Sequence, residues 1–373
     1  MNPTTGEFSF TRLERVIFGA GKVSELGRDL ERRKIKRALV VTGASLGRSR
    51  LLEVVSEAAG AAYAGVFRGA MQHTPAKTVD ALAAEARRVD ADALVSFGGG
   101  SPIDTAKAAA MRLLGEREMV HVAIPTTLSA AEFTPGAGVT DEQTREKRGV
   151  AEPRLQPRTV ILDPRLTLET PAWLWAGTGM RALDHAVECA YSARHQPLTD
   201  TLAARAINLL ATHLPPSLIT HGDEELEHRV QCQIAAWLSI FGAMSTRFGI
   251  SHALGHQIGP AWDVPHGFTS CITLPHVMRF MAGVAPERFG PIAEGFGIRF
   301  DAENPRPAAL ECAERAAQFI RQFEVPVRLR DVGVSREELG RIAATVHEEV
   351  VRSNSVGRPV TSDEIIALIE AAY

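Results

Sequence analysis

Cysteine is scarce in this chain of 373 residues: the four present, Cys189, Cys232, Cys271 and Cys312, lie far apart with no Cys-x-x-Cys spacing. That argues against a disulfide framework and fits reduced thiols buried as small hydrophobes in a cytosolic protein. No apolar run reaches the roughly 18 residues that a membrane span requires. The opening stretch MNPTTGEFSFTRLERVIFGAG lacks the charged-then-apolar order of a signal peptide. The expectation is a soluble, cytoplasmic protein with no membrane partner. Charge of one sign is missing too: 41 Lys+Arg against 44 Asp+Glu leave −3 at pH 7. With no basic run carrying interleaved aromatics, nothing points to nucleic acid as a partner. Repeats and low-complexity segments are also absent.

What is present is length enough for two cores. Up to residue 165 short apolar runs alternate with helical periodicity. Strands are expected at 14–18, 37–42, 64–67, 92–97, 121–124 and 158–164, and helices at 24–30, 50–59 and 75–89. Such alternation predicts a doubly wound, mostly parallel sheet with right-handed crossovers, a dinucleotide-binding α/β domain over 1–165. Residues 128–158 form a polar connector in which TDEQTREKRG reads as a hairpin or exposed loop. From 166 to 373 the pattern is helical, at 176–192, 197–213, 222–244, 249–258, 269–282, 287–296, 306–322, 335–349 and 361–372, which predicts an all-α C-terminal domain.

Two stretches carry chemistry. Gly98, Gly99 and Gly100 follow a buried strand, and Ser101, Pro102 and Asp104 have the N-cap, N1 and N3 order of a capping box. The turn therefore aims free N–H groups at an anion, as α/β sheets do for a pyrophosphate; the third glycine reads as clearance for a ligand. The alternative is a tight strand-to-helix turn that binds nothing. In the second stretch, SHALGHQIGPAWDVPHG, His252 and His256 are four apart and share a helix face. Gly255, Gly259, Pro260 and Pro265 should end that helix and swing His266 back toward them. Three converging imidazoles are the start of a site for zinc or iron, which usually takes a carboxylate as well. The bland alternative is three unrelated histidines.

The order GGGSPIDTAK at 98–107, PTT at 125–127, GMRALDHAVE at 179–188 and SHALGHQIGPAWDVPHG resembles the iron-containing alcohol dehydrogenase superfamily over nearly the whole chain. Thr134, Pro135, Gly138 and Thr140, the run LQPRTVILDP at 155–164, and His73 to Pro75 are similar to the maleylacetate reductase branch. The resemblance implies an NADH- or NADPH-dependent oxidoreductase, a homodimer, with Gly98, Gly99, Gly100, Ser101, Asp104, Thr126 and Thr127 on the cofactor. Gly43 stands where NAD-preferring members often carry an acid, and Arg48 and Arg50 lie close enough in sequence to meet a 2′-phosphate. A solvated basic face is the competing reading of both arginines. The metal-binding members use an aspartate and three histidines; His185, His252 and His266 match the histidines, but Arg181 occupies the aspartate position.

A guanidinium cannot ligate a cation. The divalent metal, iron or zinc, thus becomes the alternative, held by His185, His252 and His266 with Asp184 recruited. The reading favoured from sequence has Arg181 pairing with Asp184. Its role is either a clamp on a substrate carboxylate or a surface ion pair with Asp184 or Glu188. His256 is the candidate acid, with His185, His252 and His266, joined by His73, lining the pocket as protonated donors to the developing alkoxide. The expected function is NAD(P)H-dependent reduction of a small oxo acid such as maleylacetate in the cleft between the domains. A metal-dependent dehydrogenase of neutral alcohols is the rival. A dehydroquinate-synthase-like lyase lacks its pocket lysines here, and a non-catalytic cofactor-binding protein is the last alternative.

Overall fold

A computed structural model describes residues 5–142 and 147–373. The chain packs as two compact units, Phe10–Thr170 and Pro171–Tyr373 with Met1–Ser9. The first unit runs past residue 165 because Thr170 Oγ1 donates to the Thr126 carbonyl at 2.7 Å. The segment before Phe10 belongs with the helical unit, where the Phe8 and Phe241 rings are 5.9 Å apart and Ser9 N donates to Ser245 Oγ.

The first unit contains β1 (Arg15–Phe18), α1 (Leu26–Arg32), β2 (Ala38–Gly43), α2 (Arg50–Ala59), β3 (Tyr63–Ala70), α3 (Ala76–Arg88), β4 (Ala93–Gly98), α4 (Gly100–Leu113) and β5 (Val120–Pro125). The hairpin β6 (Gly136–Thr140) and β7 (Lys147–Ala151) and the strand β8 (Thr159–Leu162) complete it. Six strands form one parallel sheet in the order β1-β8-β5-β4-β2-β3, while β6 and β7 pair antiparallel. The tip of the expected hairpin, 143–146, lies outside the described residues.

Strand periodicity explains why the sheet is covered on both faces. Leu39, Val41 and Leu94 join α3 and α4 residues such as Leu82 and Ala106 in one core. Val40, Val95 and Phe97 face the other way and pack with Leu26, Leu30 and Val55 of α1 and α2. Each such Leu or Val contributes about 1.5–3 kcal/mol when fully buried. Register places Gly98 opposite Pro125, so the glycine turn and Thr126–Thr127 leave the sheet side by side at the carboxyl ends of adjacent strands.

The second unit contains α5 (Ala172–Tyr191), α6 (Pro197–His213), α7 (Gly222–Ile240), α8 (Ala243–Thr246), α9 (Ile250–Ala261), α10 (His266–Val284), α11 (Gly290–Phe296), α12 (Arg306–Ile320), α13 (Leu339–Ser353) and α14 (Ser362–Ala371). The helix expected to run from 222 to 244 breaks after Ile240. A Cβ on Gly242 would sit 1.8 Å from Thr199 Cγ2, so the chain approaches α6 too closely there for a regular helix with side chains. Helix α5 is buried on every side from Trp175 to Tyr191. It meets α10 where a Cβ on Gly267 would lie 2.3 Å from the Gly177 carbonyl oxygen, a crossing only glycine permits. Among the described residues no helix is long and apolar enough to cross a membrane.

Candidate functional site

The glycine turn differs from the capping box expected of it. Helix α4 begins at Gly100 with Gly99 as N-cap, and no side chain caps it. Ser101 therefore lies inside the first turn. The Asp104 carboxylate accepts from Gly138 N at 3.3 Å and lies 3.6 Å from Lys107 Nζ. Gly98 has φ 142°, a backbone region that side chains rarely enter. Cβ atoms on Gly99 and Gly100 would lie 3.1 Å from Thr127 Cγ2 and 3.3 Å from Ser129 Oγ. The third glycine thus gives clearance to the chain's own 129–131 segment.

What remains open is the helix end. The uncapped first-turn N–H groups of α4 stand beside Thr127 Oγ1, which is buried without a hydrogen-bond partner. This is a donor set suited to a pyrophosphate and its neighbouring hydroxyls. Lys107 is fully buried, and its ammonium donates to the carbonyls of Ala131 and Gly136, fastening α4 to β6. Arg48 and Arg50 are exposed after β2, and neither forms an ion pair among the described residues.

In the helical unit the imidazoles do converge. The rings of His252 and His256 are 4.8 Å apart, as their i, i+4 spacing requires. His266 is 5.7 Å from His252 and stacks on His256 at 5.8 Å. The turn that achieves this is later than expected: α9 continues through Gly255, Gly259 and Pro260 to Ala261. The reversal falls at Asp263, whose φ is 53°, with Val264 N donating to the Gly259 carbonyl.

One nitrogen from each of His252, His256 and His266 lies within 4.8 Å of the others, and the His185 ring lies 5.7 Å from that of His252. His185 packs against Phe248 and its Nδ1 is buried without a partner. Arg181 is buried, which removes the surface ion-pair reading. Its Nη1 donates to Asp184 Oδ2 at 3.1 Å and to Ser270 Oγ at 3.0 Å, and its Nη2 lies 2.6 and 2.9 Å from the His252 ring nitrogens. Asp184 also accepts from Ser251 Oγ at 2.9 Å and Ser270 Oγ at 2.6 Å. Arg181 puts a cation at the carboxylate position of the family's ligand set, which opposes a metal there, while the three bonds to the neighbouring Asp184 all fall on Oδ2 and leave Oδ1 buried without a hydrogen-bond partner.

Electrostatics sharpen each role. Burial, reinforced by Arg181, holds His252 and His185 well below the ordinary histidine range. Both are neutral near pH 7, so the expected protonated donors at these positions are corrected to neutral imidazoles. His256 is exposed and its Nδ1 bonds Glu349 Oε1 on α13 at 3.0 Å. Burial opposes the Glu349 charge, but the bond and charge of His256 outweigh it and hold the carboxyl below its usual range.

Glu188 is the other residue that sequence reasoning undervalued. Its carboxylate accepts from the N–H groups of Gly249, Ser251 and His252, closing the N-terminus of α9. Burial, then the Asp184 charge, pushes Glu188 up to about 8. Phe248 stacks on His252 at 4.0 Å and 1°. No motif announces Glu349, Phe248 or Ser270; the i+3 and i+7 spacing from Arg181 was the only signal for Asp184 and Glu188. His73, with φ 60° and its carbonyl bonded by Thr140 Oγ1, belongs to the first unit.

Comparison with known proteins agrees with both halves. Residues 14–164 match the family described as iron-containing alcohol dehydrogenase, and residues 175–373 match the Fe-containing alcohol dehydrogenase family, C-terminal. The chain is 32% identical to a maleylacetate reductase from Burkholderia cepacia over 97% of this chain and 96% of that one. It is 30% identical to lactaldehyde reductase from Escherichia coli over 96% and 98%. The crystal structure of maleylacetate reductase from Agrobacterium tumefaciens superposes with a TM-score of 0.83 at 26% identity, covering 100% of this chain and 99% of that one. The chain belongs to the iron-containing alcohol dehydrogenase family, similar to its maleylacetate reductases, and is an NAD(P)-dependent oxidoreductase.

Proposed function

We propose that this enzyme reduces a small oxo acid of the maleylacetate type with NAD(P)H and without a bound metal. The observation that carries the proposal is Arg181, a buried guanidinium at the position of a metal-ligating aspartate and bonded to His252. A fixed positive charge there tolerates an anionic substrate and opposes a cation.

The nicotinamide supplies the hydride. Gly98, Gly99, Gly100, Ser101, Thr126 and Thr127 hold the cofactor through backbone N–H and hydroxyl groups, and Asp104 works behind them by fastening α4 to Gly138. In the helical unit, Arg181 makes the polar pocket electropositive and stabilises charge on the carbonyl oxygen. Neutral His252 and His185 offer N–H donors, His266 lines the pocket, and His256, oriented by Glu349, delivers the proton. Gly43, Arg48 and Arg50 favour NADPH. The enzyme works in the cytoplasm as a homodimer, an assembly that sedimentation would show.

A second reading is favoured by one feature, the three mutually close imidazoles. They suit iron or zinc and neutral alcohols or aldehydes as substrates. A single experiment separates the two: dialyse the enzyme against chelator, measure its metal content, and compare kcat/KM for maleylacetate and for neutral aldehydes with NADPH and NADH. Retained activity on maleylacetate supports the oxo-acid reading. One iron or zinc per chain whose removal abolishes turnover overturns it, and a strong NADH preference overturns the NADPH assignment.

A further inference from the structure

A cavity lies wholly within the helical unit, on a part of α10 not used by the imidazole cluster. It has a volume of about 380 Å³, within the range of small-ligand sites, which starts near 300 Å³. Helix α10 serves both places: Ser270 bonds Arg181 and Asp184, while Cys271, Pro275 and His276 line the cavity.

Its floor is apolar, made by Ile272, Pro275, Ala317 and Ile320 from α10 and α12. Its polar groups are nearly all cationic or neutral donors. Arg279 and Arg321 each reach Glu314 at 2.9 Å, so one carboxylate answers two guanidiniums. The Arg328 guanidinium is in no ion pair, and the His276 ring makes no hydrogen bond, among the described residues. Glu314 thus answers two of the three lining guanidiniums, and among the described residues Asp331 bonds only the backbone N–H groups of Val327 and Arg328, so the Arg328 guanidinium is left to meet an anion above the apolar floor.

We propose that this cavity is a binding site, separate from the reaction site, for a monocarboxylate with an apolar body, whose carboxylate is held by Arg328 and His276 and whose chain lies on Ile272, Ala317 and Ile320. A planar fork meets a carboxylate with paired N–H groups, and the apolar tail contributes by leaving water. An uncharged molecule of the same shape lacks the first term, and a small inorganic anion lacks the second.

The test is calorimetric titration of the intact enzyme with hexanoate, hexan-1-ol and chloride, repeated on Arg328→Ala and on Ala317→Trp, which fills the floor. Hexanoate is expected to bind at least about tenfold more tightly than hexan-1-ol, with affinity reduced by about tenfold or more in each variant. NAD(P)H turnover is expected to stay within about twofold of the parent in both, because neither residue belongs to the reaction site. Hexanoate binding that persists in both variants places the ligand elsewhere and overturns the proposal. So does hexan-1-ol or chloride binding as tightly, or no hexanoate binding by the parent. If Ala317→Trp does not fold, Arg328→Ala, a change at an exposed side chain, decides the matter alone.

Discussion

Arg181 Nη2 lies 2.6 Å from His252 Nδ1, and this helix-α5 cation adds to burial in holding the helix-α9 imidazole in its neutral form. The same guanidinium bonds Asp184 and Ser270, so one side chain ties three helices together. The chemistry of the pocket and the packing of the unit are consequently the same set of bonds.

Arg181→Ala should therefore cost both stability and turnover. Removing one partner of a buried ion pair leaves the Asp184 charge uncompensated, a loss of about 3–5 kcal/mol. Urea unfolding measures it. Arg181→Lys keeps a charge but not the fork that reaches Asp184, Ser270 and His252 together. It should lose less stability while its KM rises for acidic substrates and not for neutral aldehydes. Equal loss on both substrate types would remove the anion-binding role.

His256→Asn should lower kcat by about 100-fold with little change in KM, the size expected when a general acid is removed. Glu349→Gln keeps the shape of the partner and removes its charge, and is expected to lower kcat by a smaller factor. Steady-state kinetics of the two single variants and the double variant check the link. If the double variant loses no more than His256→Asn alone, Glu349 acts through His256; fully additive losses would separate them.

The cap on α9 gives a prediction about position and not chemistry. A Cβ on Gly249 would lie 2.9 Å from Glu188 Oε1. Gly249→Ala should push the carboxylate from the N–H groups of Gly249, Ser251 and His252, at a cost of about 1–2 kcal/mol. Because α9 carries His252 and His256, kcat should fall with the melting temperature. A variant less stable but fully active would show that the imidazoles do not depend on this cap.

A pH prediction comes from the first unit. Glu132 is buried, its Oε2 has no hydrogen-bond partner, and burial pushes its carboxyl from 4.5 up to about 7. The folded protein therefore holds a proton that the unfolded chain releases near 4.5. That stabilisation is complete below about pH 4.5 and is lost as pH rises through about 7, on the order of 3 kcal/mol in all. Glu132→Gln should raise stability at pH 8 relative to the parent and change little at pH 4.5. Urea midpoints at the two pH values decide it, and an equal shift at both would show that no proton is involved.

Much of the fold was legible in residue order because its elements are set locally. Helix α2 at 50–59 and helix α6 at 197–213 begin and end where apolar spacing places them, since their burial patterns repeat with the helical period. The break after Ile240 was not legible, because it answers to Thr199, a residue four tens of positions away in sequence. The capping box at Ser101 failed for a similar reason: the second and third glycines fit the Thr127–Ala131 segment, and that fit moved the helix start to Gly100.

The sequence by itself determined that a glycine turn follows a buried strand, that His252 and His256 share a face, and that a cation stands at position 181. Periodicity and residue chemistry are local properties and need no coordinates. Only the tertiary structure decided what these groups do to one another. It brought Glu349 to His256, closed α9 with Glu188, set the His185 ring beside Phe248 and His252, and buried His252 beside Arg181 so that burial first and the guanidinium second keep the ring neutral. Protonation and hydrogen-bond partners depend on burial and on distances across helices, which chain order does not carry.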